Sequence, residues 1–119
     1  MKKLLIIFLF ILITPVIFAK DYFSLDVAKN AANHNNLGLI KFEEGYYDMA
    51  VSEFQLAIDL SPNSKATAIY YNNMGDAYMK MGHYALAQNA YENAIKISPL
   101  TFLYYQNTVQ SYKKQGTLK

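Results

Sequence analysis

Residues 68–99 read AIYYNNMGDAYMKMGHYALAQNAYENAIKISP, and residues 31–62 read AANHNNLGLIKFEEGYYDMAVSEFQLAIDLSP. Laid in register, the two stretches are identical at 11 of 32 positions. Self-similarity at a fixed period of this length is typical of supersecondary units that stack on one another. The chain therefore predicts a surface built by repetition, and the functional question is what binds to that surface.

Small residues recur at matched positions of the two copies and predict close packing between helices. Gly38 and Gly75 fall inside the first predicted helix of each copy, where glycine costs about 1 kcal/mol relative to alanine. That cost is acceptable where a neighbouring helix has to approach closely. The residues that we expect to pack the repeats together are Gly38, Ala50, Phe54, Ala57, Pro62, Gly75, Tyr78, Ala87, Tyr91, Ala94 and Pro99.

Turn residues divide each copy into two helices. Gly45 and Gly82 stand where a C-cap glycine would end the first helix, and Pro62 and Pro99 bar the continuation of the second. With the hydrophobic spacing, these signals predict helices at about residues 26–44, 48–60, 66–81, 85–97 and 102–115.

This series of residues resembles the tetratricopeptide repeat, a helix-turn-helix unit of about 34 residues. The resemblance implies an all-α fold, a right-handed α-solenoid of about two and a half repeats. It divides residues 20–119 into a repeat at 31–64, a repeat at 68–99 and a capping helix at 102–115. The capping helix ends in polar residues, as the solvent-facing end of a repeat stack should.

Residues 1–19 have the pattern of a secretory signal peptide: a basic start, the apolar run Leu4–Ile13, and the small residue Ala19 before a polar stretch. As a helix, the segment Leu4–Ala19 would be about 24 Å long, which is shorter than the roughly 30 Å hydrocarbon core of a bilayer. We expect either cleavage after Ala19 or retention as an N-terminal membrane anchor. In both cases residues 20–119 would be exported, to the periplasm or cell envelope.

The composition excludes several classes of function. The chain has no cysteine, and its 11 basic residues, all lysines, stand against 9 acidic residues without a cluster that would suit nucleic acid. Its two histidines, His34 and His83, are too far apart in sequence for a metal-binding pair on one helix. There is no phosphate-binding glycine loop and no nucleophile elbow. We therefore expect no enzymatic activity, no metal and no cofactor.

Stacked first helices of such repeats line a concave groove. Residues spaced by three, four or seven positions on each first helix share the groove face, and amide side chains are common among them. Amides donate and accept hydrogen bonds, so they suit the backbone of an extended peptide, although such a face can also be merely solvated. The predicted groove residues are Asn35, Leu39, Phe42, Asn72, Asn73, Asp76, Met79, Gln106, Asn107 and Gln110.

One ligand class is disfavoured by the resemblance. Repeats of this family that bind chaperone tails clamp a C-terminal carboxylate with lysine or arginine at positions that here are Asn35, Leu103 and Asn107. Because charge-assisted hydrogen bonds from cations carry that recognition, an acidic chaperone tail is not expected to bind.

Two functional hypotheses follow. The first is an exported protein–protein interaction module, a scaffold or assembly adaptor that binds a peptide segment or a helix in its groove. The alternative is a self-associating structural or membrane-tethered spacer, which stacks through its incomplete ends and has no dedicated peptide ligand. Either hypothesis predicts a protein partner, including a second copy, with no nucleic acid and with membrane contact only through the N-terminal segment.

Overall fold

The computed structural model describes the backbone of residues 2–116 and the side chains of residues 22–116. The described part of the chain is all-α and contains no strand. Its helices are α1 (Lys2–Glu43), α2 (Tyr47–Leu60), α3 (Lys65–Lys80), α4 (Tyr84–Ile97) and α5 (Phe102–Gln115). The all-α fold class predicted from the repeat is therefore confirmed.

The predicted ranges of α2 to α5 agree with the observed ranges to within one residue, whereas α1 extends N-terminally beyond its predicted start at residue 26. The predicted signal peptide or anchor at residues 1–19 lies outside the residues whose side chains the structure describes. Along residues 22–116, none of the helices combines the length and the apolar character that crossing a membrane requires.

The first helix of each repeat ends in the same turn. Gly45 and Gly82 adopt left-handed backbone angles, with φ values of 83° and 75°, which glycine reaches without steric cost. The next residue then donates its N–H to a carbonyl five residues back: Tyr46 to Lys41 at 2.9 Å, and His83 to Tyr78 at 2.9 Å. These are Schellman bonds, and they turn the chain sharply. Consecutive helices consequently run antiparallel, and α1, α3 and α5 run in the same direction.

The two mid-helix glycines make room for an aromatic ring of the following helix. A Cβ atom built on Gly38 would lie 2.5 Å from Cε1 of Phe54, and one built on Gly75 would lie 2.5 Å from Cε1 of Tyr91. Both rings are almost completely buried, Phe54 at 0% exposure and Tyr91 at 2%. Glycine is required at both positions because the ring occupies the volume that a side chain would need.

The remaining packing residues surround these rings. The alanines at matched positions of the second helices, Ala50, Ala57, Ala87 and Ala94, are fully buried. Tyr78 is half-buried against the core, while Pro62 and Pro99 are exposed in the turns after α2 and α4. Each first helix thus packs on its own second helix, and each second helix packs on the next first helix.

Candidate functional site

Asparagines of neighbouring first helices are joined by hydrogen bonds. Asn73 donates its Nδ2 to Oδ1 of Asn35 at 2.9 Å, and Asn107 donates its Nδ2 to Oδ1 of Asn72 at 2.8 Å. Both bonds link the fifth position of one repeat to the sixth position of the next. The structure therefore assigns these amides a stacking role that the sequence did not reveal, because neighbouring first helices bring the two positions together.

Asp76 and Tyr91 form a hydrogen-bonded pair between α3 and α4. The Tyr91 hydroxyl donates to Oδ1 of Asp76 at 2.6 Å, and Asn72 donates to Oδ2 of Asp76 at 3.5 Å. Burial raises the pKa of the Asp76 carboxyl, and the hydrogen bond from Tyr91 and the charge of Lys80 oppose that shift only in part. Burial, with the hydrogen bond to Asp76, also raises the pKa of Tyr91, so its hydroxyl remains protonated and donates.

A pocket of about 310 Å³ opens above this pair, on the side where α1, α3 and α5 meet. Its lining combines apolar side chains, a carboxylate, a lysine and two amides. The residues that form it are Phe42, Asp76, Met79, Lys80, Tyr91, Asn107 and Gln110. Five of the predicted groove residues are thus brought together around one cavity.

Sequence reasoning did not include Lys80 and Tyr91 in the groove. Lys80 directly follows Met79 and falls outside the spacing that defined the predicted groove face. Tyr91 belongs to a second helix, and its hydroxyl reaches the cavity only because Gly75 lets the ring pass beside α3. The recurrence of a glycine and an aromatic ring at matched positions is the signal that would have found Tyr91.

The other predicted groove residues do not line this pocket. Leu39 is 39% exposed on α1, and Asn35, Asn72 and Asn73 belong to the hydrogen bonds between first helices. Gln106 instead lines a second pocket, of about 280 Å³, on the outer side of α5.

The two histidines lie in different parts of the stack. His34 lies with Nδ1 2.7 Å from Oε2 of Glu53, an ion pair that joins α1 to α2 when the imidazole is protonated. His83 is exposed at the turn before α4. Within residues 22–116, no group of three or more histidines and carboxylates could hold a metal ion.

The geometry agrees with comparisons to known proteins. A family model described as Tetratricopeptide repeat matches residues 30–99, which is more than half of the chain. The chain belongs to the tetratricopeptide repeat family. Membership of this family supports a protein–protein interaction module, and proteins of the family are generally not catalysts.

Solved structures of tetratricopeptide repeats superpose on this chain. A crystal structure of MamA matches with a TM-score of 0.69 and 29% identity, over 76% of this chain and 48% of that chain. The Arabidopsis OM64 TPR domain matches with a TM-score of 0.69 and 17% identity, over 76% of this chain and 72% of that one. The N-terminal domain of stress-induced protein-1 from C. elegans matches with a TM-score of 0.69 and 19% identity, over 77% of this chain and 76% of that chain.

The two matches below 25% identity establish the fold of this tetratricopeptide repeat protein and nothing more. The chain spans about half the length of the MamA chain in that crystal structure. Comparison with curated proteins produced no match.

The raised pKa of Asp76 predicts a specific dependence of stability on pH. The folded state holds the Asp76 proton more tightly than the unfolded state does. Protonation of Asp76 therefore stabilises the fold, and this contribution is complete at pH values below the unfolded pKa of 3.8. This stabilisation is lost as the pH rises from 3.8 through the raised folded pKa. The variant Asp76→Asn should lack this pH-dependent stabilisation. Its free energy of unfolding should therefore increase relative to that of the wild type as the pH rises through that window.

Urea unfolding at a series of pH values from about 3.5 to 7.5, followed by circular dichroism, measures the difference in free energy of unfolding between Asp76→Asn and the wild type. Asp59→Asn is the matched control, since Asp59 is exposed on α2. A difference between Asp76→Asn and wild type that stays constant across the series would contradict the assignment.

Proposed function

We propose that this chain is an exported interaction module that holds an extended segment of a partner protein in the groove between α1, α3 and α5. The observation that carries the proposal is the pocket of about 310 Å³ at which these three helices meet. A cavity of this size, lined by apolar walls and a few polar groups, is typical of sites that receive a ligand side chain.

The chemistry of the pocket favours one kind of side chain. Phe42 and Met79 contribute apolar surface, and the Asp76 carboxylate beneath them can accept hydrogen bonds beyond the one from Tyr91. A side chain with an apolar stem and a terminal donor, such as lysine, satisfies both parts. Gln110 and Asn107 at the rim then offer amides to the backbone on either side of that residue.

Export is the second part of the proposal. It is supported by the order of features in residues 1–19, in which a basic start, an apolar run and a small residue precede the repeats. The envelope is therefore the compartment in which the partner is to be sought. The mass of the chain recovered from cells distinguishes cleavage after Ala19 from retention of the segment.

The groove is tested by affinity capture from an envelope extract with the variant Leu39→Ala/Met79→Ala/Gln110→Ala. These three side chains lie on the groove face of α1, α3 and α5, and none is part of the asparagine or Asp76–Tyr91 hydrogen bonds. We expect recovery of the bound protein to fall at least tenfold, because two apolar side chains of the groove face and one rim amide are truncated while the fold is kept.

The matched control is Met49→Ala/Leu86→Ala, which truncates side chains that are 49% and 50% exposed at equivalent positions of the second helices. The control should capture the same proteins as the wild type. If the groove variant and the control recover the same partners in equal amounts, while thermal unfolding shows all three proteins folded, the groove is not the binding surface.

A further inference from the structure

The outer face of α5 is apolar and exposed at one end of the stack. Phe102, Tyr105 and Val109 are exposed by 71%, 42% and 40%, and they border the pocket of about 280 Å³. In the two complete repeats, the equivalent positions are covered by the second helix of the same repeat. The first of these positions holds Ala31 and Ala68, both fully buried. Within residues 22–116, α5 has no second helix of its own.

The opposite end of the stack has an exposed apolar face on α1. Leu37 and Ile40 are exposed by 40% and 53%. The equivalent residues of α3, Met74 and Ala77, are exposed by only 7% and 0% because α2 packs against them. The burial of these positions in the interior of the stack shows that the repeat geometry brings a helix to this face wherever one is available.

The two outermost helices of the stack, α1 and α5, carry opposite charges at their C-terminal ends. Along residues 31–62 there are five acidic side chains and one lysine, and α1 ends at Glu43, next to Glu44. In contrast, α5 contains no acidic residue and has Lys113 and Lys114 in its last turn. Because α1 and α5 run in the same direction, the acidic pair and the basic pair lie at the same ends of their helices.

We propose that the chain associates with a second copy of itself head to tail, with the outer face of α5 packed on the exposed face of α1 of the next copy. Val109 and Tyr105 then cover Leu37 and Ile40. Lys113 and Lys114 approach Glu43 and Glu44 of the neighbouring copy. The contact removes apolar surface from water at both ends and brings the basic pair to the acidic pair, of which Glu44 also forms an ion pair with Lys41 at 2.7 Å.

The charges favour this arrangement over a two-fold dimer with parallel helices. In such a dimer, pairing α5 with α5 would bring lysines to a helix without an acidic residue, and pairing α1 with α1 would bring the acidic pairs together. The head-to-tail contact instead joins the basic pair to the acidic pair. Because its two surfaces differ, such a contact can be repeated from copy to copy, into an open chain or a closed ring.

The expected association is reversible. A 14-residue helix is about 21 Å long, and one face of it buries less area than the roughly 800 Å² per partner of a standard interface. The copies should therefore associate when they are concentrated, as on a membrane or within the envelope.

The absence of cysteine from the chain makes the contact directly testable by disulfide formation between introduced thiols. The single variants Leu37→Cys and Val109→Cys are made in the full chain and expressed separately and together. We expect at least tenfold more covalent dimer, under mild oxidation, from the co-expressed pair than from either variant alone. The chain that carries both substitutions should give a ladder of higher oligomers.

Charge variants and a distant cysteine complete the experiment. Lys113→Glu/Lys114→Glu should abolish the cross-link, and adding Glu43→Lys/Glu44→Lys to the same chain should restore it. The pair Leu86→Cys with Val109→Cys is the control, since Leu86 is exposed on α4 away from the proposed contact.

The proposal is overturned by any of three outcomes. Cross-linking of Val109→Cys alone to the level of the mixture would indicate a two-fold contact instead. Yields no higher than those of the Leu86→Cys control, with the circular dichroism of folded protein, would exclude the contact. Adducts with a different protein and none with a second copy would assign these faces to another partner. None of these readouts depends on the groove, so they are independent of the proposed function.

Discussion

Replacing Phe54 with alanine is expected to lower the free energy of unfolding by about 3–5 kcal/mol, the range for truncation of a buried phenylalanine. The ring is 0% exposed, lies over Gly38 and belongs to the core that α1, α2 and α3 share. Its removal leaves a cavity at the centre of the first repeat. Since a small domain has a total stability of about 5–15 kcal/mol, this one side chain accounts for a large share of the fold's stability.

Urea unfolding followed by circular dichroism at 222 nm measures this loss. Phe23→Ala is the matched control, because it removes the same ring from a position that is 71% exposed on α1. The control should change the free energy of unfolding by less than about 0.5 kcal/mol. A loss at Phe54 as small as that at Phe23 would contradict the packing of the first repeat described above.

The second large effect is expected for Gly75→Ala, a substitution that normally stabilises a helix by about 1 kcal/mol. Here the new Cβ would lie 2.5 Å, 2.8 Å and 2.9 Å from three ring carbons of Tyr91. The ring has no room to move, because it is buried and its hydroxyl is held by Asp76 at 2.6 Å. Overpacking of this kind outweighs the gain in helix propensity, so we expect a net loss of about 2 kcal/mol.

The chain offers two comparisons for this prediction. Val109→Ala places alanine at the equivalent position of α5, where no second helix packs, and should have little effect on stability. Gly38→Ala should cost less than Gly75→Ala, because the Phe54 ring lacks a hydroxyl that would hold it in place. Denaturant unfolding of the three variants under the same conditions gives the order of their stability losses. A Gly75→Ala variant more stable than the wild type would disprove the close approach of α3 and α4.

The repeat in the sequence was enough to predict the helices. Gly45, Gly82, Pro62 and Pro99 act through local backbone geometry, which depends little on distant residues, and the helix ends that they predict agree with the structure to within two residues. The burial of the matched alanines follows in the same way, from the spacing of small residues on one helical face.

The partners of polar side chains were not predictable in this way. Asp76 and Tyr91 are 15 residues apart, and the amides of Asn72 and Asn107 are 35 residues apart. Both contacts exist because one helix packs on another at a particular distance and rotation. The sequence predicted Asn72, Asn73 and Asp76 as groove residues, and the structure adds that each also forms a hydrogen bond to a neighbouring helix.

Tertiary packing also decided which face of α5 is exposed. Its last residues are polar, as the sequence predicted for a capping helix, but its outer face exposes Phe102, Tyr105 and Val109. Which face of α5 is covered depends on where α4 lies, and that position follows from the packing of the repeats before it.

The sequence by itself thus determined the family, the number of repeat helices, their limits apart from the start of α1, and the glycines and alanines that allow them to pack. These features follow from short-range backbone preferences and from a periodicity that one helix carries alone. The tertiary structure decided which side chains of the groove are bonded within the fold, where the pocket opens and which faces of the stack are exposed. Those properties depend on the distances between helices, which are fixed only when the rings of Phe54 and Tyr91 meet the glycines on the facing helices.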